Sequence, residues 1–189
     1  SQGERDLYIS VEPTLTLNME PLVREVERRL VDRVGEIGQA ETDEEKGQAL
    51  LSCIDRICTT TDGFGSGLRW FGSKNNNKIH VTPLELEAIK YLVLRDKIGM
   101  GALQPLLLDE YIEDISCSGV GHVFIEHKIF RSLQSALVFS SLDELDRFVI
   151  RLGERIKRPV TVRDPIVDAT LPDGSRINIV YGRDVSKRG

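Results

Sequence analysis

Three patterns in the 189-residue chain predict an α+β fold, with an acidic, mainly helical N-terminal part followed by antiparallel strands carrying helices on one face. The first is a set of apolar residues at helical spacing through residues 20–57. The second is a series of short alternating segments across residues 112–139. The third is Leu171-Pro172-Asp173-Gly174-Ser175-Arg176-Ile177-Asn178-Ile179. There Pro172 presets φ, Asp173-Gly174 supplies a tight turn, and Ile177 and Ile179 alternate with polar neighbours as in a half-buried strand.

Residues 7–11 form a short strand candidate closed by Pro13. From Pro21 onward, Leu22, Val23, Val26, Leu30, Val34 and Ile37 recur at helical spacing, and Gly35 and Gly38 mark the fraying end. Thr42 and Glu45 make a capping box for a second helix, whose stripe is Ala49, Leu50, Cys53, Ile54 and Ile57. These two acidic helices are expected to form an antiparallel pair. Residues 61–78 read as a loop, with Gly63, Gly65, Gly67 and Gly72 followed by Ser73-Lys74-Asn75-Asn76-Asn77-Lys78. Gly63-x-Gly65-x-Gly67 lacks a preceding buried strand and a following Lys-Ser/Thr pair, so it is not a phosphate cradle. Phe64, Trp70 and Phe71 in this loop either pack on the helices or belong to a partner-binding surface. The domain boundary is placed here, dividing residues 1–78 from residues 79–189.

Thr82-Pro83-Leu84-Glu85 combines an N-cap, a proline at the first helical position and a capping-box acid. Leu86, Ile89, Tyr91, Leu92 and Val93 follow, and Gly99 and Gly101 stop the helix. Residues 112–116 and 123–125 read as strands, and residues 130–133 and 136–139 continue the meander. Ser141 and Glu144 cap a helix with the stripe Leu142, Leu145, Phe148, Val149, Leu152 and Ile156, ended by Pro159. Residues 160–162 and 166–169 are short extended pieces leading into the Asp-Gly hairpin.

Composition narrows the function. With 40% hydrophobic residues the chain buries a core fit for one or two domains. No apolar run approaches the length of a membrane span, and the first residues given contain no apolar signal region, which a start further upstream would hide. Cys53, Cys58 and Cys117 form no CxxC pair, and with Cys53 and Cys58 on one helix they fit reduced, mostly buried thiols in a cytoplasmic protein. His80, His122 and His127 lack metal-ligand spacing. The net charge of −5 argues against nucleic acid as a partner. Its distribution is uneven: residues 1–146 hold 15 Lys and Arg against 25 Asp and Glu, and residues 147–189 hold 10 against 5. A basic end fits a nearby polyanion or another subunit's acidic face, whereas Arg147, Arg151, Arg155, Lys157 and Arg158 also fit a solvated helix face.

The run from Pro105 to Gly121, the segment Asp164-Pro165-Ile166-Val167-Asp168-Ala169-Thr170 leading into Leu-Pro-Asp-Gly-Ser-Arg, and the closing Val185-Ser186-Lys187-Arg188-Gly189 occur in the order seen in archaeal secretion ATPases. The chain resembles, over roughly residues 82–189, the N-terminal region of these motors of type II and type IV secretion, archaeal pili and archaella. The resemblance implies a PAS-like second domain, a homo-hexamer built by the longer protein, and ATP and Mg in a separate core. It also implies a polytopic membrane platform as partner and a place at the inner face of the cell membrane. Carried onto this sequence, the family's phosphate-facing arginines fall on Arg176, with Arg188 and Arg183 as further candidates. No Gly-x-x-x-x-Gly-Lys-Ser/Thr occurs, so the chain itself is not expected to hydrolyse ATP or to hold a cofactor tightly. Asp168, Asp173 and Glu113 are read as strand-end and turn residues rather than a catalytic acid group. The alternative reading is a free-standing PAS-like sensor or adaptor without catalysis.

Overall fold

The computed structural model describes residues 6–13, 18–60, 78–171, 174 and 176–180. The fold is α+β, and the chain divides into two compact units: residues 11–104, and residues 105–189 together with residues 1–10.

In the unit of residues 11–104, α1 (Glu20–Val31) starts with Pro21 in its first turn, where the missing N–H costs nothing. Val26 and Leu30 are its buried positions. The stripe expected to run on to Ile37 breaks at Asp32 and Arg33, leaving α2 (Val34–Ile37) as one separate turn. In α3 (Asp43–Ile57) the capping box is complete: Thr42 Oγ1 accepts the Glu45 amide at 3.2 Å, and Glu45 Oε2 accepts the Thr42 amide at 3.2 Å. Cys58 opens a strand, β2 (Cys58–Thr60), instead of continuing the helix. This strand pairs in parallel with β3 (Ile79–Val81). α4 (Pro83–Lys97) has the second complete capping box, from Thr82 and Glu85.

α1, α3, β2, β3 and α4 share one core, whose members include Val26, Leu30, Leu50, Cys53, Ile54, Ile57, Ile79, Val81, Ile89 and Val93. Full burial of such a side chain contributes about 1.5–3 kcal/mol. Ion pairs brace the surface: Lys90 Nζ lies 2.9 Å from Asp55 of α3, and Lys97 Nζ lies 2.7 Å from Glu27 of α1. Tyr91 donates to Glu12 at 2.8 Å and Arg95 Nη1 donates to the same carboxylate at 2.7 Å, tying residue 12 to α4. Burial, then the Glu12 hydrogen bond, push the Tyr91 hydroxyl up to about 12. The boundary expected at residue 78 is therefore misplaced. β3 and α4 supply apolar residues to the core that α1 and α3 begin, so the division falls after residue 104.

The other unit contains a four-stranded sheet in the order β1-β6-β5-β4, formed by β1 (Leu7–Tyr8), β4 (Ile112–Ser116), β5 (Gly121–His127) and β6 (Arg131–Phe139). β4, β5 and β6 are antiparallel neighbours, and β1 runs parallel to β6. The two pieces expected at residues 130–133 and 136–139 are one strand, because a register shift opposite His122–Phe124 absorbs the break in alternation. Ser135 sits there, buried, and its hydroxyl accepts the Leu137 amide at 3.0 Å. Val123 and Ile125 of β5 and Leu133 and Phe139 of β6 form the buried face.

α6 (Leu142–Arg155) packs on this sheet through Phe148, whose ring centroid lies 5.0 Å from that of Phe139. Ser141 Oγ caps the Glu144 amide at 3.2 Å, while the Glu144 carboxylate reaches back to the amide of Ser140 rather than to that of the cap itself. The helix ends with Lys157 at φ 57° and the Arg158 amide bonded to Gly153 O at 2.8 Å. Gly153 is buried because Val160 returns across it. No strand forms at residues 160–162. α5 (Gln104–Leu107) is a single turn, and β7 (Ile166–Thr170) pairs with β8 (Arg176–Val180) in a separate antiparallel ribbon.

Candidate functional site

The ribbon's register sorts its side chains. Val167 faces Ile179 and both are buried; Ala169 faces Ile177 and both are half-buried. By strand alternation the opposite face carries Ile166, Asp168 and Thr170 of β7 and Arg176, Asn178 and Val180 of β8, all exposed. One face thus anchors the hairpin and the other displays polar groups between an apolar pair, Ile166 and Val180. At the tip, the Gly174 amide donates to Leu171 O at 2.9 Å, and Gly174 takes φ +90°, a conformation open to glycine at little cost.

Arg176 stands beside that turn, directly opposite Thr170. Its Nη2 lies 3.2 Å from Asp168 Oδ2, a diagonal cross-strand pair. The Arg176 side chain is 79% exposed, so this ion pair is largely screened and contributes at most about 1 kcal/mol. A guanidinium has five N–H donors in a planar fork, so the contact with Asp168 leaves donors for an external anion. The planar fork has the shape that pairs with a phosphate or carboxylate.

Arg183, Arg188 and Asp173 lie outside the described residues, as does the loop holding Phe64, Trp70 and Phe71. Glu113 sits where the β4–β5 register shifts, in the other sheet from Asp168. Among the described residues, Asp168 rather than Glu113 is brought to Arg176. That role follows from hairpin register, which places position 168 diagonal to position 176. On α6, exposed Arg147 and Arg151 alternate with Asp143, Glu144, Asp146 and Glu154, which makes a solvated mixed-charge face. Arg151 also donates to Arg147 O at 3.2 Å. Cys53 and Cys58 are buried free thiols and Cys117 is exposed; burial raises Cys58 to about 11. No helix among the described residues is long and apolar enough to cross a membrane.

No protein-family model matches the chain. It is similar to uncharacterized protein MJ0900 of Methanocaldococcus jannaschii, 36% identical over 188 residues, which are 96% of this chain and 34% of that protein. It is also similar to uncharacterized protein MJ1288 of the same organism, 33% identical over 180 residues, covering 95% of this chain and 65% of that protein. A third, MJ0781, is 32% identical over 91 residues, 48% of this chain and 12% of that one. The chain thus spans about a third of one of these curated relatives and just under two thirds of another.

Proposed function

We propose that this chain is the N-terminal regulatory and docking region of a hexameric secretion or pilus-assembly ATPase. In this reading the region covers nucleotide bound to a separate P-loop core, which supplies ATP and Mg binding. It couples hydrolysis to a membrane platform at the inner face of the cell membrane. The observation that carries the reading is Arg176, held beside a turn on a ribbon whose other face is buried, with most of its guanidinium open to solvent. Phosphoryl transfer places charge on the equatorial oxygens of the moving group, and a fork of N–H donors mounted on a mobile region stabilises that charge only when the region closes. Arg183 and Arg188 are proposed to face the same phosphates.

The test is Arg176→Ala in the longer protein. An arginine acting on the transferring phosphoryl group is worth on the order of 10³ in rate. Removing an exposed ion pair costs at most about 1 kcal/mol of stability. The expected outcome is a large fall in ATP turnover with little change in melting temperature. Unchanged turnover with a lowered melting temperature would assign Arg176 to structure and remove the support for this reading.

A further inference from the structure

His127 is the buried end of β5, and one of its ring nitrogens is tied to the turn that follows the strand. Its Nδ1 lies 3.1 Å from the amide of Ile129 and 3.4 Å from the amide of Phe130. Both amides can only donate, so Nδ1 carries the lone pair and the neutral ring holds its proton on Nε2. This single acceptor gathers the turn between β5 and β6. The backbone then passes through Arg131 at φ 67°, a conformation that a non-glycine residue keeps only when its neighbours impose it. Outside the turn, Ile129 and Phe130 are 63% and 65% exposed.

Aromatic rings and one acid surround the imidazole. Tyr111 stacks on it with centroids 5.9 Å apart, and the Phe130 and Tyr8 rings lie at 4.9 Å and 6.4 Å. The Tyr111 and Phe130 rings lie within the roughly 6 Å over which an aromatic face attracts a cation, and Tyr8 lies beyond it. Asp109 is the nearby acid: its Oδ1 accepts the Tyr111 amide at 2.9 Å and its Oδ2 accepts the Tyr8 hydroxyl at 2.8 Å. The Tyr111 amide first, and then the Tyr8 hydroxyl, hold that carboxyl below its ordinary range. Of the cations on the turn, Lys128 is turned away to the Glu110 carbonyl at 2.7 Å, and Arg131 is exposed opposite His127 in the β5–β6 register.

We propose that His127 is a proton-operated catch on the β5–β6 turn. Neutral, it holds the Ile129 and Phe130 amides. Protonated at Nδ1, it can no longer accept them, the cation is compensated by Asp109 and the Tyr111 ring, and the turn presenting Ile129 and Phe130 is released. No bond other than the added N–H forms, and the proton comes from solvent.

Nuclear magnetic resonance on the full chain tests this between pH 8 and pH 5, the range in which imidazoles take up a proton. The readouts are the His127 ring nitrogen shifts, the Ile129 and Phe130 amide shifts, and their exchange protection corrected for intrinsic pH dependence. The expected result is one shared midpoint for ring and amides, with protection falling roughly five- to tenfold as the acceptor is lost. His127→Asn places a non-titrating acceptor oxygen near the Nδ1 position and is expected to keep both amides protected at all these pH values. The proposal is overturned if the ring stays neutral to pH 5, if it titrates while both amides stay unmoved, or if the Asn variant keeps the same amide titration. Should that variant not fold, the wild-type ring and amide titrations decide alone.

Discussion

A fragment of residues 79–189 is expected to lose the structure of β3 and α4. In the intact chain Ile79, Val81, Ile89 and Val93 are each no more than 1% exposed, against a core begun by α1 and α3. Deleting residues 1–78 uncovers these four side chains at about 1.5–3 kcal/mol each, on the order of 6–12 kcal/mol together. That matches the whole stability of a typical domain, about 5–15 kcal/mol. The Lys90–Asp55 and Lys97–Glu27 pairs disappear as well. Capping by Thr82 and Glu85 survives in the fragment but is worth only about 1 kcal/mol, too little to hold a 15-residue helix alone. Amide hydrogen exchange distinguishes the outcomes, with Ile89 and Val93 strongly protected in the full chain and close to unprotected in the fragment. Equal protection in both would show that α4 takes its stability from residues after 78, and the boundary would move back to that point.

Gly153→Ala is expected to destabilise the unit of residues 105–189 by about 1–3 kcal/mol despite alanine's better helix propensity. A Cβ there would lie 2.8 Å from Val160 Cγ2 and 2.9 Å from Arg158 O. Thermal melts of Gly153→Ala with and without Val160→Ala check this. Because the Arg158 carbonyl is backbone, the second change should rescue only part of the loss, and full rescue would refute the backbone explanation. At the acid end, hydrogen bonds from Arg28, and then from Arg29, outweigh burial and lower the Glu25 carboxyl to about 2. A folded value below the ordinary 4.5 means a stabilisation fully present above pH 4.5 and lost as pH falls towards 2. Glu25→Gln should flatten that part of the stability–pH curve in denaturant titrations, and a curve of unchanged slope would show that Glu25 is not its source.

Local signals are legible wherever the determining chemistry is local. Thr42, Thr82 and Ser141 each start a helix, since a side-chain oxygen three residues before a free amide needs no distant partner. Long-range pairing was not legible. Three-residue strands such as β2 and β3 carry too little alternation to be seen, and the parallel pair they form joins residues separated by the whole 61–77 segment. This pairing draws β3 and α4 into the earlier core. A glycine- and asparagine-rich segment reads as a linker between domains, yet here both its flanks belong to one unit.

The candidate site divides along the same line. Turn chemistry and alternation predict a hairpin with Arg176 beside its tip on the polar face, and β8 begins at that residue. Its contact with Asp168 depends on register, since strand alternation alone leaves open which residue of β7 lies across from Arg176. Once Thr170 faces Arg176, residue 168 must share the arginine's face, two positions along. Both side chains of that pair are more than half exposed, so solvent screens it and the ion pair is weak. His127 shows the converse case. Its sequence context contains no ligand spacing and no periodic pattern, because its partners are backbone amides of the next turn and rings from residues 8, 111 and 130. Backbone donors have no sequence signature, so a histidine that organises them becomes visible only when the strands around it are in place.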